Sequence, residues 1–502
     1  MEAKINELKR LWGEAADLSS AAYVLDWDQS TYMPAGGAPA RARQSALLSR
    51  LAQEKKTDPR IGHLLDALRP YAESLPYDHP DAALVRVGRR KYERALKVPP
   101  AFVSEMVQLG METFNVWAKA RPENDFKALR PYLERILDNS RRLANFFPGY
   151  EHIADPLIDE SDYGLKATTL RQLFAQLRRE LAPLVKAITA QPAADDSCLK
   201  RHFDQAGQLA IGAELSRQIG YDFQRGRLDL THHPFTTRFS DGDVRITTRV
   251  NEHDLGDCLF SCLHEAGHAM YEQGIRPELD ATPLGYGTSA GVHESQSRLW
   301  ENLVGRSRDF WVYAYPRMQA TFPGLLEDVS LETFYRAVNK VQRSLIRVDA
   351  DEVTYNLHVM IRFDLELMLL EGKLHVRDLP EAWHAHYQAD LGVRAPDDRD
   401  GVMQDVHWFY GQIGGMFQGY TLGNILSAQF FNAALQAHPE IPAEMRAGKF
   451  ETLQRWLVDN LYQYGSTFTA DEIVQRATGS PLSIAPYMDY LRQKYGELYP
   501  GI

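Results

Sequence analysis

The stretch FSCLHEAGHAMYEQG, residues 260–274, sets His264 and His268 four residues apart with Glu265 directly after the first. Its flanks predict a helix: Asn251 or Asp254 can cap the start, Gly274 is a stop signal and Pro277 prevents continuation. At about 100° per residue the two histidines lie about 40° apart, with Glu265 about 60° beyond His268, so all three share one face. Two imidazoles at this spacing can ligate one zinc ion, leaving the glutamate uncoordinated and free to take a proton from water. A catalytic zinc site uses three protein ligands and one open position, so a third ligand must come from a second element.

The segment GTSAGVHESQSRLWENLVG, residues 287–305, supplies it. Thr288 or Ser289 can cap a helix whose Ala290, Gly291, Glu294, Ser297, Arg298 and Glu301 form one stripe. The small Ala290 and Gly291 are expected to let this helix approach the first, bringing Glu294 to the metal. His293 points about 100° away from Glu294 and reads as a neighbour rather than a ligand. Between the helices, IRPELDATPLGYG is long and turn-rich enough to reverse the chain.

The rest of the chain must position these groups, and most of it reads as helix, with apolar residues at three- and four-residue spacing broken by Pro and Gly signals. No internal repeat or low-complexity tract is evident; Ala190–Ser197 resembles a linker or a surface loop. The exception is FTTRFSDGDVRITTRV, residues 235–250, two β-branched runs around Ser240–Asp243, which predicts an antiparallel hairpin before the first metal-binding helix. Its edge could accept an extended peptide as an added strand.

Composition narrows the function. Hydrophobic residues at 44% and charged residues at 25% over 502 positions describe a globular chain with a sizeable core. A net charge of -11 argues against nucleic acid or an anionic membrane as partner. The opening MEAKINELKRLWGE is too charged for a secretory signal, and no segment reaches the roughly 18 apolar residues of a membrane span, so a cytoplasmic location is expected. Cys198, Cys258 and Cys262 are too few for a disulfide framework and read as buried packing residues.

With these residues in hand, the chain resembles the carboxypeptidase Taq family of metallocarboxypeptidases. The resemblance runs from LDWDQSTYMPAGGAPARARQ (25–44) through His233-Pro234-Phe235, Asp243 to Thr247, His264 to His268 and His293 to Gln296. It continues through Ile346 to Asp351 and Gly401 to Trp408. It implies a mainly α, elongated body with a deep central groove and a small β-ribbon near the metal, as in neurolysin-like peptidases. One catalytic unit, 1–502, would comprise an N-terminal helical lid, 1–225, and a metal-binding subregion, 226–502. It also implies a homodimer that removes C-terminal residues from peptides with broad specificity, proline excepted. Zinc is the implied metal, with cobalt possible, held by His264, His268 and Glu294 with Glu265 as base.

Two further roles need candidates. The developing oxyanion needs donors, for which His407 and Tyr420 are expected, with Tyr410 as alternative to Tyr420. The terminal carboxylate of a substrate suits an arginine fork, for which Arg347 is expected and Arg245 is the runner-up; Arg347 could instead pair with Asp349 or Asp351. His233 is expected to shape the groove beside the ribbon. An endopeptidase or peptidyl-dipeptidase with the same metal chemistry is the nearest alternative activity, and a non-catalytic helical scaffold the alternative of another class.

Overall fold

The computed structural model describes residues 1–502. The chain is mainly helical, with one small sheet beside the HExxH helix, as the sequence predicts. No helix is long and apolar enough to cross a membrane. Two compact units form, each from three chain segments: Met1–Leu96, Asp195–Val338 and Leu426–Leu482 in the first; Lys97–Ala194, Asn339–Ile425 and Ser483–Ile502 in the second. The segment Ala190–Ser197 is one place where the chain passes between them, whereas residue 225 lies inside the first unit.

In the first unit the amphipathic helices Glu2–Thr31, Pro59–Glu73 and Pro80–Lys97 contribute Leu8, Leu11, Trp12, Leu65, Leu68 and Leu84 to one apolar cluster. Ile275, Leu279 and Leu284 from the chain-reversing segment complete it. That turn-rich stretch is therefore anchored by its apolar residues and does more than span a gap.

The sheet has the order β1 (Leu228–Leu230), β3 (Asp243–Thr248), β2 (Thr236–Ser240). β2 and β3 make the expected hairpin, and β1 adds a parallel strand with Leu228 opposite Ile246. The sequence reading missed β1 because three residues carry too little alternation to register. Val244 and Ile246 are fully buried. Hydroxyls on both hairpin strands tie the sheet to the HExxH helix. Thr248 Oγ1 lies 2.6 Å from Ser261 Oγ, and Thr236 Oγ1 lies 2.9 Å from the Glu265 carbonyl oxygen.

The HExxH helix spans Leu255–Gln273. Of the two caps expected, Asp254 takes the role, accepting from the Gly256 N–H at 3.2 Å; Asn251 instead accepts from the His253 N–H. The helix is buried nearly all round, between the helix Gln205–Ile219, the sheet and the glutamate-bearing helix. Cys258 and Cys262 are fully buried free thiols, and a Cβ on Gly212 of the helix Gln205–Ile219 would sit 2.8 Å from Cys262 Sγ. They are packing residues at a close helix crossing, as expected.

The glutamate-bearing helix, Ala290–Arg298, is capped by Ser289, which accepts from the Val292 N–H at 3.1 Å, and continues as a π-helical stretch over Leu299–Val304. Its approach to the HExxH helix depends on a residue the sequence reading passed over. A Cβ on Gly267 would lie 2.6 Å from the Gln296 carbonyl oxygen and 2.7 Å from Ser297 Cα. Backbone cannot yield as a side chain end can, so only glycine permits this contact. Gly267→Ala should therefore cost about 1–3 kcal/mol of stability, typical of overpacking, and should weaken metal binding as the helices are pushed apart. Urea unfolding together with a zinc titration checks both.

Candidate metal centre and active site

His264, His268 and Glu294 meet in the first unit, with one ligand atom from each lying within 4.8 Å of the others. Glu294 Oε2 is 3.6 Å from His264 Nε2 and 3.3 Å from His268 Nε2. Its other oxygen accepts from Arg298 Nε at 2.7 Å, and Ser297 Oγ donates to Oε2 at 3.0 Å. Burial would raise the Glu294 carboxyl, yet Arg298 and the two imidazoles hold it well below the usual range, so it is an anionic donor at neutral pH.

Each imidazole turns its Nδ1 away from this point. His264 Nδ1 lies 2.9 Å from Glu301 Oε2, and His268 Nδ1 lies 2.6 Å from His293 Nδ1, whose Nε2 is 2.7 Å from Glu272 Oε1. Arg298 also donates to Glu301 at 3.0 Å. Burial pushes Glu301 up, but Arg298 and His264 bring it down to about 2. The same opposition leaves Glu272 below its ordinary value, with His293 and then Arg238 outweighing burial. Burial, reinforced by His293 and His264, lowers His268 to about 4. A neutral imidazole with a free lone pair is the form a metal requires. Burial would lower His264, but Glu294 and Glu301 raise it above its ordinary value, so an ion there must displace its proton. Two imidazole nitrogens, one anionic oxygen and Nδ1 atoms held by a carboxylate or an imidazole fit a borderline divalent ion with three protein ligands.

Glu265 stays outside the ligand set. Its Oε2 accepts from Thr236 Oγ1 at 2.6 Å, and burial raises its carboxyl above the ordinary value. A carboxylate more basic than usual and fixed next to the ligands suits proton transfer.

The other expected site residues fall as follows. Arg347, His407 and Tyr420 come together in the second unit through Asp405, which accepts from Arg347 Nε, from Arg362 Nε at 3.1 Å and from His407. His407 Nε2 lies 3.1 Å from Tyr420 Oη, and Arg347 Nη1 donates to Tyr355 Oη at 3.0 Å. Arg347 pairs with neither Asp349 nor Asp351; Asp351 is occupied with the Val353 and Thr354 N–H groups and the Thr354 hydroxyl. Tyr410 is 64% exposed and meets Phe114 edge-on, whereas Tyr420 is the tyrosine that touches His407. In the first unit Arg245 pairs with Asp243 and stacks 4.4 Å from the Trp27 ring. His233 is exposed, with Nδ1 3.0 Å from its neighbour's carbonyl.

Sequence reasoning missed Thr236, Glu272, Asp405 and Arg362, and gave Glu301 a place in a stripe but no role. Glu272 had a signal, since it follows His268 by one helical turn. Asp405 stands 58 residues from Arg347, and nothing local announces the pairing.

A helical fold that gathers HExxH and a downstream glutamate onto one small volume defines a metallopeptidase. Residues 7–495 match the carboxypeptidase Taq (M32) metallopeptidase family, and the chain belongs to that family as a metallocarboxypeptidase. It is 42% identical to thermostable carboxypeptidase 1 of Thermus thermophilus over 99% of both chains. It is 37% identical to carboxypeptidase 1 of Bacillus subtilis over 96% of each. The M32 carboxypeptidase structure from Deinococcus radiodurans superposes with a TM-score of 0.96 at 51% identity, covering 99% of both chains.

Beneath His407, Trp408 Nε1 donates to Glu366 Oε1 at 2.9 Å, and burial pushes this carboxyl up to about 7. The folded chain thus keeps a proton that the unfolded chain releases near 4.5, so Glu366 lowers stability as pH rises from about 4.5 to 7. Glu366→Gln retains the acceptor for Trp408 without the titration. Its unfolding free energy relative to wild type should grow between pH 5 and 8, on the order of 2–3 kcal/mol, read by denaturant unfolding at each pH.

Proposed function

We propose that the protein is a zinc-dependent carboxypeptidase that removes single residues from the free C-terminus of peptides, with broad specificity except for terminal proline. The observation that carries the reading is a three-ligand set within 4.8 Å beside a glutamate held out of it by a threonine hydroxyl. A structural zinc site would close all four positions with protein groups, which argues against a passive scaffold. Cobalt fits the same donors.

Held by His264, His268 and Glu294, a divalent ion would act as a Lewis acid and lower the pKa of a water. Glu265 takes the proton of the attacking water and passes it to the leaving amine, its raised basicity suiting both steps. His407 and Tyr420, in mutual contact, donate to the oxyanion. Arg347 takes the terminal carboxylate, its Nε held by Asp405, and Arg245 is the runner-up for that role. His233 lines the substrate path. Charge supports the assignment to Arg347. Two guanidiniums, 347 and 362, face the single carboxylate of Asp405, while Glu366, which feels Arg362, is raised to about 7 and offsets them only in part. His358 adds no positive charge, because burial and Arg362 hold its basicity far down. Three free cysteines suit a reducing cytoplasm, and a homodimer is proposed from the family resemblance.

Incubation with a peptide mixture should give a ladder of single-residue losses from the C-terminus by mass spectrometry, abolished by a chelator and restored by zinc. Loss of residue pairs, or cleavage of C-terminally amidated peptides, would instead favour a peptidyl-dipeptidase or endopeptidase. Glu265→Gln should bind zinc and lose about 10²–10⁴-fold in kcat; full turnover would remove Glu265 from the chemistry. Arg347→Ala should lose about 10²-fold in kcat/KM on free-acid peptides and gain nothing on amidated ones.

A further inference from the structure

Behind His268 runs a chain of groups that none of the steps above uses. Glu272 lies one turn further along the same helix and is 5% exposed. Its Oε1 accepts from the Gly287 N–H at 3.1 Å, and its Oε2 lies 3.3 Å from Arg238 Nε. A carboxylate so placed is anionic and can only accept, so the proton in its 2.7 Å contact with His293 Nε2 belongs to the imidazole. In the singly protonated ring His293 Nδ1 is an acceptor, and the proton in the 2.6 Å contact between the two Nδ1 atoms then belongs to His268. That leaves the His268 lone pair on Nε2, the atom 3.3 Å from Glu294 Oε2.

The packing is shaped to hold this arrangement. The His293 ring sits between His268 and Tyr271, with centroids 4.7 and 5.2 Å away. A Cβ on Gly287 would come within 2.6 Å of His293 Cδ2, so glycine there makes the room. The two metal-binding imidazoles are backed differently: His264 by a carboxylate directly, His268 by a carboxylate acting through a second imidazole.

We propose that Glu272 and His293 form a hydrogen-bond relay that fixes His268 as the Nδ1–H tautomer and makes its Nε2 the stronger metal donor. Both are positioning residues, neither ligands nor groups that touch substrate. The relay rests on the metal-site reading above and deepens it.

The test measures zinc affinity by competition with a chromophoric chelator, using the full chain stripped of metal by dialysis, alongside the cobalt absorption spectrum and the melting temperature of the stripped protein. Glu272→Gln replaces the anionic acceptor by a neutral amide, whose oxygen accepts from His293 Nε2 more weakly. The preference of His268 for a proton on Nδ1 should then weaken, lowering zinc affinity about 10-fold and changing the cobalt spectrum. Glu272→Asp should keep most of the affinity. His293→Phe should show a similar loss and His293→Gln should recover part of it, because a side-chain amide oxygen can accept from His268 Nδ1; this pair carries the test if Glu272→Gln does not fold. A purely structural role would lower the melting temperature while leaving zinc affinity within about twofold of wild type. That result, or equal losses in the Phe and Gln variants at 293, overturns the relay. Peptide turnover enters none of these readouts. A wild-type protein that binds zinc but releases no C-terminal residues would sink the carboxypeptidase reading and leave the relay standing.

Discussion

Four buried glutamates, 265, 272, 294 and 301, occupy one small region of the first unit, and the rest of the site is arranged around balancing them. An uncompensated buried carboxylate is among the costliest groups a protein can carry. Arg298 bridges Glu294 and Glu301, Arg306 also reaches Glu301 at 3.4 Å, and Arg238 faces Glu272. Burial lowers the basicity of His264, but Glu294 and Glu301 outweigh it and raise the imidazole above its ordinary value. Without a metal, that imidazole is drawn toward protonation to supply positive charge. A divalent cation held by His264, His268 and Glu294 would supply that charge instead and leave the imidazole as a donor. Folding and ion binding are therefore linked through charge balance as well as through coordination.

The second unit answers the same difficulty in the opposite sense. Asp405 is the single carboxylate facing two buried guanidiniums and His407. Burial would raise it, but Arg347, His407 and Arg362 keep it well below the usual range. Glu366, nearby, makes no ion pair, and burial raises it to about 7 although Arg362 pulls the other way. Two guanidiniums share one carboxylate in the second unit, whereas four glutamates share three arginines in the first.

How much of this could be read from the chain depends on whether a feature is local. The HExxH helix, its Asp254 cap and the capped glutamate-bearing helix were legible, because periodicity and caps act over a few residues. Glu294 was legible because a three-ligand requirement and a short stretch of possible donors left few choices. Gly267 was not, since a glycine inside a helix looks like a weak residue until a neighbouring backbone is seen against it. Nor was the contact of Glu272 with His293, although each stands at suggestive spacing, because their meeting depends on how two helices cross. The partner of Arg347 was not legible for the same reason: the alternative pairing open in the sequence was with nearby Asp349 or Asp351, and tertiary packing delivered Asp405.

The order in which the segments enter the two units has a consequence for biosynthesis. All three candidate ligands have been synthesised once residue 294 is made, yet the first unit also contains Leu426–Leu482. A nascent chain therefore carries its imidazoles and glutamates for well over a hundred further residues before the unit that shields them is complete. An ion met before residue 482 is made would find the first unit incomplete.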